Sequence, residues 1–203
     1  MTFSFESELC LGYACNYNGV YLDYSGSVDL TEEEVQCLVN LIRENDGETD
    51  VEKLGLEEKY PDIFEKLDYA YHEAAREANY RNWLIEGYEN GYFDEPDDFY
   101  EALEKDGLFK FELTPEQIEE FKEEYGLEDD EEIDEEDLED YFADAKQEAF
   151  EEWIGEYYDS LDEDGKVDFI ETYYGDVMEH GDPGDYDYTV EIPDEIIEMA
   201  EEK

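Results

Sequence analysis

Hydrophobic and polar positions divide the chain into short strands followed by helices. Residues 1 to 30 read as strands. Asn18-Gly19 and Ser25-Gly26 are turn signals beside the aromatic runs Tyr13 to Tyr17 and Val20 to Tyr24. A helix is predicted from Thr31, where Thr31 and Glu34 make a capping box ahead of Val35, Leu38, Val39 and Ile42, and Asp46-Gly47 ends it. A long helix is predicted from Pro61 to about Glu86, with Ile63, Phe64, Leu67, Ala70, Tyr71, Ala74, Ala78 and Ile85 near one face. Gly87 and Asn90-Gly91 close it, and Asp97 or Asp98 caps a short helix ending at Gly107.

Phe109 to Leu113 reads as a strand, and the helix from Pro115 stops at Gly126. The next helix carries Leu138, Phe142, Ala145, Ala149, Trp153 and Tyr157 on one stripe. Tyr186 to Ile192 reads as an edge strand, with Asp185 and Asp187 discouraging pairing, and Asp194 to Glu202 as a last short helix. The expected fold is α+β: a small antiparallel sheet with about six helices and a strongly acidic surface. The segments Val28–Val35, Phe111–Ile118 and Val190–Ile197 share a short strand, an outward acid and a helix start. We read them as local strand-to-helix chemistry used three times, the alternative being a weak internal repeat.

Charge changes the picture most. The chain has 67 Asp and Glu against 12 Lys and Arg, a formal net charge of -55 over 203 residues. A globule of its mass exposes about 10,000 Å² by surface scaling, or roughly one net negative charge per 180 Å². Duplex DNA carries one charge per ~1.7 Å of axis, or one per ~110 Å² on a cylinder of about 10 Å radius. Such density argues against direct binding to DNA or RNA, which needs Lys and Arg, and against an anionic membrane surface. A salt-adapted proteome is a general source of acidic surfaces, but -55 is extreme for it. Disordered acidic chains are poor in aromatics, whereas this one has 19 Tyr, 11 Phe and 2 Trp, so a folded core is expected.

Charge is uneven: residues 1–107 hold 28 acids and 7 bases, and residues 108–203 hold 39 and 5. An N-terminal α+β region and a more acidic, mostly helical C-terminal region are therefore expected to meet near Asp106-Gly107, or to form one continuous domain. Three cysteines give no disulfide framework and fit a reducing cytoplasm. No secretory leader is recognised at Met1 to Cys10, and no apolar run is long enough to span a bilayer. The scarce cations Arg76 and Arg81 are expected to pair internally.

Two kinds of candidate chemistry stand out. The first is acidic contact surface. Asp94, Glu95, Asp97 and Asp98 form one cluster; Glu128, Asp129, Asp130, Glu131, Glu132, Asp134, Glu135, Glu136, Asp137, Glu139 and Asp140 form a nearly continuous run. Interleaved tyrosines, as in Tyr92-Phe93-Asp94, can pack on an incoming Arg. The second is the segment Ser160 to Glu171, which resembles an EF-hand loop. The resemblance implies calcium ligands from Asp162, Asp164, Asp168 and Glu171 and the carbonyl of Lys166, with Gly165 at the sharp turn; the bare pattern otherwise reads as a plain helix-turn-helix, which is the expected local structure. Ser160 stands where the first Asp belongs, and no second copy is present. Catalysis has little support: His72 and His180 are the two histidines, and neither sits in a nucleophile–base pattern. No other cofactor is expected.

An aromatic-rich, ordered protein of this size and charge resembles, in kind and not in sequence, the DNA-mimic inhibitors of phages and mobile elements, including anti-restriction and anti-CRISPR proteins. The resemblance implies a non-enzymatic inhibitor whose partner is a basic nucleic-acid-binding protein or nuclease complex. A calcium-binding protein and an acidic chaperone for basic proteins are the alternatives. Oligomeric state is not legible.

Overall fold

A computed structural model describes residues 1–13, 19–126, 141–175 and 183–202. The chain divides into two compact units, Met1–Glu86 together with Gly181–Lys203, and Gly87–His180. The division falls elsewhere than Asp106-Gly107, which lies inside the second unit. That glycine ends a short helix, and a helix end alone does not separate two cores.

The first unit is built on an antiparallel hairpin, β1 (Thr2–Tyr13) and β2 (Gly19–Asp29), paired from Thr2↔Asp29 with an irregularity between Cys10 and Gly12. Alternation sends Phe3, Phe5 and Leu9 of β1 and Tyr24 and Val28 of β2 to the buried face, while Glu6, Glu8, Asp23 and Asp29 stay exposed. The expected turn at Ser25-Gly26 is not formed, because both residues lie inside β2. Gly26 is opposite Phe5, and a Cβ there would lie 2.5 Å from the Phe5 ring and 2.9 Å from the Ala74 methyl carbon. The glycine thus makes room for Phe5 to stack on Tyr71 at 3.8 Å and 11°.

Helix α1 (Glu32–Glu44) begins with the expected capping box: Thr31 Oγ1 accepts from the Glu34 amide at 3.2 Å, and Glu34 accepts from the Thr31 amide at 2.8 Å. Two single-turn helices, α2 (Val51–Leu54) and α3 (Leu56–Lys59), were not expected. They are too short for a periodic pattern; Asp50 caps the first, and Gly55, at φ 63°, joins them.

The long helix α4 (Pro61–Glu89) buries Ile63, Leu67, Tyr71, Ala75, Asn79 and Leu84. It continues through Gly87, expected to close it, because that glycine faces the Phe93 ring: a Cβ would lie 2.4 Å from it. Among the described residues, the chain resumes in the first unit at residue 183. Asn79, 3 % exposed, donates to the carbonyls of Pro183 and Gly184, both at 3.3 Å.

The edge strand expected at Tyr186 to Ile192 reduces to one antiparallel bridge, Cys10↔Asp187, with N–H···O distances of 2.8 and 2.9 Å. The alternation that suggested a strand is real. It serves packing instead, for Tyr186, Tyr188 and Val190 cover the cluster of Phe5, Leu9, Tyr24 and Tyr71. Helix α9 (Asp194–Glu201) closes the unit against α1. Arg43, in the last turn of α1, donates to the carbonyls of Met199, Ala200 and Glu202 at 2.6–2.9 Å, satisfying the acceptors at the end of α9.

The second unit contains α5 (Phe99–Lys105), α6 (Pro115–Tyr125), α7 (Ala143–Ser160) and α8 (Glu163–Tyr173). Phe109 to Leu113 has no strand partner among the described residues. The segment instead inserts Phe109 against Phe150 and Trp153, and then leads into the Thr114–Gln117 capping box of α6. The core is mainly aromatic: Phe99, Phe109, Phe150, Tyr158 and Phe169 are all less than a tenth exposed. The fold is α+β, with a two-stranded antiparallel sheet and nine helices among the described residues.

Gly26→Ala tests the hairpin-to-α4 packing. Overpacking should lower stability by about 1–3 kcal/mol, read as a lower urea midpoint at unchanged slope. An unchanged midpoint would show that Phe5 moves away freely.

Candidate functional site

The acidic cluster at the start of the second unit is held by two buried rings. Phe93 packs on Gly87, and Phe99 opens α5 among Phe150, Phe169 and Tyr174. Between them Asp94, Glu95, Asp97 and Asp98 are all exposed, and Tyr92 beside them is 69 % exposed. Asp98 occupies the N-cap position of α5 without a side-chain cap bond. Apolar anchoring and acidic display thus alternate within a few residues. The run from Glu128 to Asp140, with Leu138 of the expected stripe, lies outside the described residues.

Positive charge does little to offset this display. Residues 87–180 hold 38 acids and 5 bases, net -33; the remaining 109 residues carry net -22. Three of the five bases serve the unit's own groups. Lys110 pairs with Glu112 at 2.6 Å. Lys146 lies over the Tyr100 ring at 4.1 Å from its centroid. Lys166 pairs with Glu89 at 3.2 Å and lies over Tyr158 at 4.6 Å. Of the expected internal arginine pairs, Arg76 bonds Glu73 at 2.8 Å.

Tyrosine hydroxyls take up work that cations would otherwise do. Tyr173 donates to Asp106 at 2.8 Å, Tyr188 to Asp68 at 2.9 Å, and Tyr141 to Glu124. A neutral donor satisfies a carboxylate and leaves its charge in place. Burial, then the Asp106 bond, pushes the Tyr173 phenol up to about 12; burial, then the Asp68 bond, does the same for Tyr188. At Tyr141 the Glu124 bond is the main cause of a rise to about 12. Burial also raises Tyr88, Tyr158 and Tyr174. This role was not visible in the sequence, where the only signal was an excess of Tyr over Lys and Arg.

The accessible surface is 13982 Å². The mean density becomes roughly one net negative charge per 250 Å², a little under half that of a DNA cylinder.

The EF-hand-like segment folds as the plain helix-turn-helix, between α7 and α8. Asp162 is the N-cap of α8, its Oδ1 accepting from the Gly165 amide at 2.9 Å, and Asp164, Gly165, Lys166, Asp168 and Glu171 are helical residues. The Lys166 amide bonds the Asp162 carbonyl at 2.9 Å, the first turn of a regular helix. Asp-x-x-Gly reads equally well as a helix cap and as half of a calcium loop. Here Asp162 serves as the cap. Among the described residues no three His, Cys, Asp or Glu side chains gather as a metal site.

No family model, no curated protein and no solved structure matches the chain. Among the described residues no helix is long and apolar enough to cross a membrane.

Two measurements follow from this site. Asp162→Ala should cost about 1 kcal/mol of unfolding free energy as a lost cap, with the same loss in calcium and in chelator. A loss present only with calcium would restore the metal loop. The raised phenols give a sign to alkaline behaviour. The folded state keeps its protons above the ordinary tyrosine value of 10.0, so this stability is full below pH 10 and falls as pH rises towards 12. Phenolate absorbance should therefore rise together with loss of helical circular dichroism in that window. Ionisation of all tyrosines near pH 10 with the helices intact would contradict the packing.

Proposed function

We propose that the protein is a non-enzymatic nucleic-acid mimic. It inhibits a bacterial defence nuclease complex, of the CRISPR or restriction type, by occupying the basic channel that holds DNA or RNA. The observation that carries this reading is the uncancelled charge of the second unit, net -33 over residues 87–180, with three of its few lysines turned to its own groups. The exposed cluster Asp94, Glu95, Asp97 and Asp98 lies on a segment fixed by buried Phe93 and Phe99. These carboxylates are presented with less ordering cost than they would have on a free tail.

In this mechanism long-range attraction speeds encounter with a cationic channel. Once docked, carboxylates replace phosphates as acceptors for Arg and Lys, and bidentate Arg contacts slow release. Exposed Tyr92 adds an aromatic face on which a guanidinium can lie. The inhibitor therefore competes with nucleic acid and weakens steeply as salt rises.

The test is capture from bacterial lysate containing restriction and CRISPR machinery, washed at stepped salt, then competition with DNA on whatever is retained. One nuclease complex, released by DNA or by high salt, is expected. Neutralising Asp94, Glu95, Asp97 and Asp98 together (Asp→Asn, Glu→Gln) should weaken inhibition by about tenfold or more at unchanged circular dichroism. Retention of a broad set of ribosomal and other basic proteins would overturn the reading in favour of an acidic chaperone.

A further inference from the structure

The first unit contains a groove of about 1110 Å³ that the acidic clusters above do not include. One wall is α2 and α3; the other is the segment from Tyr188 to Ile192 and the start of α9. Half-buried Phe64, Val190 and Ile197 give it an apolar floor. Its rim carries exposed Glu52, Glu57, Glu58, Glu191 and Asp194, whose carboxylates make no ion pair or hydrogen bond among the described residues. Asp50 is different, for it caps α2 and pairs with Lys53 at 3.3 Å.

The wall from Tyr188 to Ile192 alternates like a strand. Tyr188, Val190 and Ile192 turn to the core, and Thr189 and Glu191 are exposed. Beyond the single bridge at Asp187, the peptide groups of Thr189, Val190 and Glu191 make no hydrogen bond among the described residues. A backbone with donors and acceptors left open in this way can be completed by an added strand.

We infer that this groove docks an extended basic segment of the partner protein, with Arg or Lys alternating with apolar residues. It rests on the reading that the partner is a basic protein, and it supplies an anchor apart from the nucleic-acid-like surface. Period-two alternation places every second side chain over the floor and the others towards the rim carboxylates. About five residues, at ~3.3 Å each, would span ~16 Å of groove. A drug-sized ligand fits less well, since its pockets are usually about 300–1,000 Å³ and mostly apolar. Charge complementarity selects the cationic segment: the rim offers five carboxylates, and the nearby Lys53 and Lys59 are engaged with Asp50 and with the Leu54 carbonyl.

The test uses purified full-length protein and a labelled peptide of alternating Arg and Val, followed by fluorescence anisotropy. An Arg–Gly peptide of equal charge is the control. The Arg–Val peptide should bind about tenfold tighter, because only it fills the floor. Combined Glu52→Gln, Glu57→Gln, Glu58→Gln and Glu191→Gln should weaken it about tenfold or more. The same number of changes on α6 (Glu116→Gln, Glu119→Gln, Glu120→Gln and Glu123→Gln) should weaken it less than about threefold. Bound peptide should also slow amide exchange at alternate residues along the wall, Val190 if it adds on the edge facing away from β1 or Thr189 and Glu191 if it adds on the other. Equal binding of both peptides, equal loss from both variant sets, or unchanged exchange would overturn the inference. No nuclease enters the measurement, so the groove can fail while inhibition stands, and inhibition can fail while the groove binds.

Discussion

Mutual repulsion among 67 carboxylates, with 12 Lys and Arg to offset it, is the force against which every other contact in this chain works. Two unit charges ~10 Å apart in water repel by only about 0.4 kcal/mol, but each carboxylate has several such neighbours. The compact state must recover the sum from contacts that do not depend on charge. It does so through two cores of low polarity. One is aliphatic, around Leu38, Leu54, Leu56, Leu67 and Ile196; the other is built mainly from aromatic rings around Phe99, Phe150 and Phe169. Rings suit a unit of about ninety residues because each buries a large apolar area for few rotatable bonds.

The few cations are placed where one side chain does the most. Arg43 satisfies three carbonyls at the end of α9, and so joins the C-terminus to α1, 156 to 159 residues away in sequence. Lys66 meets the capping carboxylate of Glu34 at 2.8 Å, holding that carboxyl below its ordinary value and joining α4 to the start of α1. Elsewhere tyrosine serves. Its phenol donates to Asp68, Asp106 and Glu124 while its ring packs, so the carboxylate is held and the outward field is kept. Closing the first unit through Asn79, Arg43 and the Cys10–Asp187 bridge uses the same economy, since all three are hydrogen bonds to backbone groups.

Local chemistry was legible in the sequence and long-range pairing was not. The Thr31–Glu34 and Thr114–Gln117 boxes and the start of α4 at Pro61 follow from side chains within one turn. Glycine misled twice. Gly26 and Gly87 read as turn signals, but each is a gap filled by a distant ring, Phe5 or Phe93, and only the fold reveals the ring. Tyr186 to Ile192 has the alternation of a strand, yet alternation reports which side is buried, not whether a neighbour completes the ladder. Asp162 shows the same limit, because a carboxylate three residues before a glycine amide caps a helix as readily as it begins a calcium loop. At the candidate site, the display of Asp94 to Asp98 was legible from composition, but its anchoring by Phe93 and Phe99 was not.

In the proposed function, screening divides the labour between the charged surface and the groove. At physiological ionic strength the Debye length is about 8 Å, so the field of even this protein acts over little more than a layer of side chains. Attraction at that range raises the encounter rate and orients the approach; it discriminates poorly among basic partners, which all answer to it. Selectivity then requires contacts that exclude water and have a shape. The groove between α2–α3 and the segment that leads into α9 combines an apolar floor, peptide groups without hydrogen bonds among the described residues, and a carboxylate rim. A partner that only carries positive charge meets the rim. A partner whose apolar residues fall in register with its cations also meets the floor and the backbone, and salt weakens those contacts least.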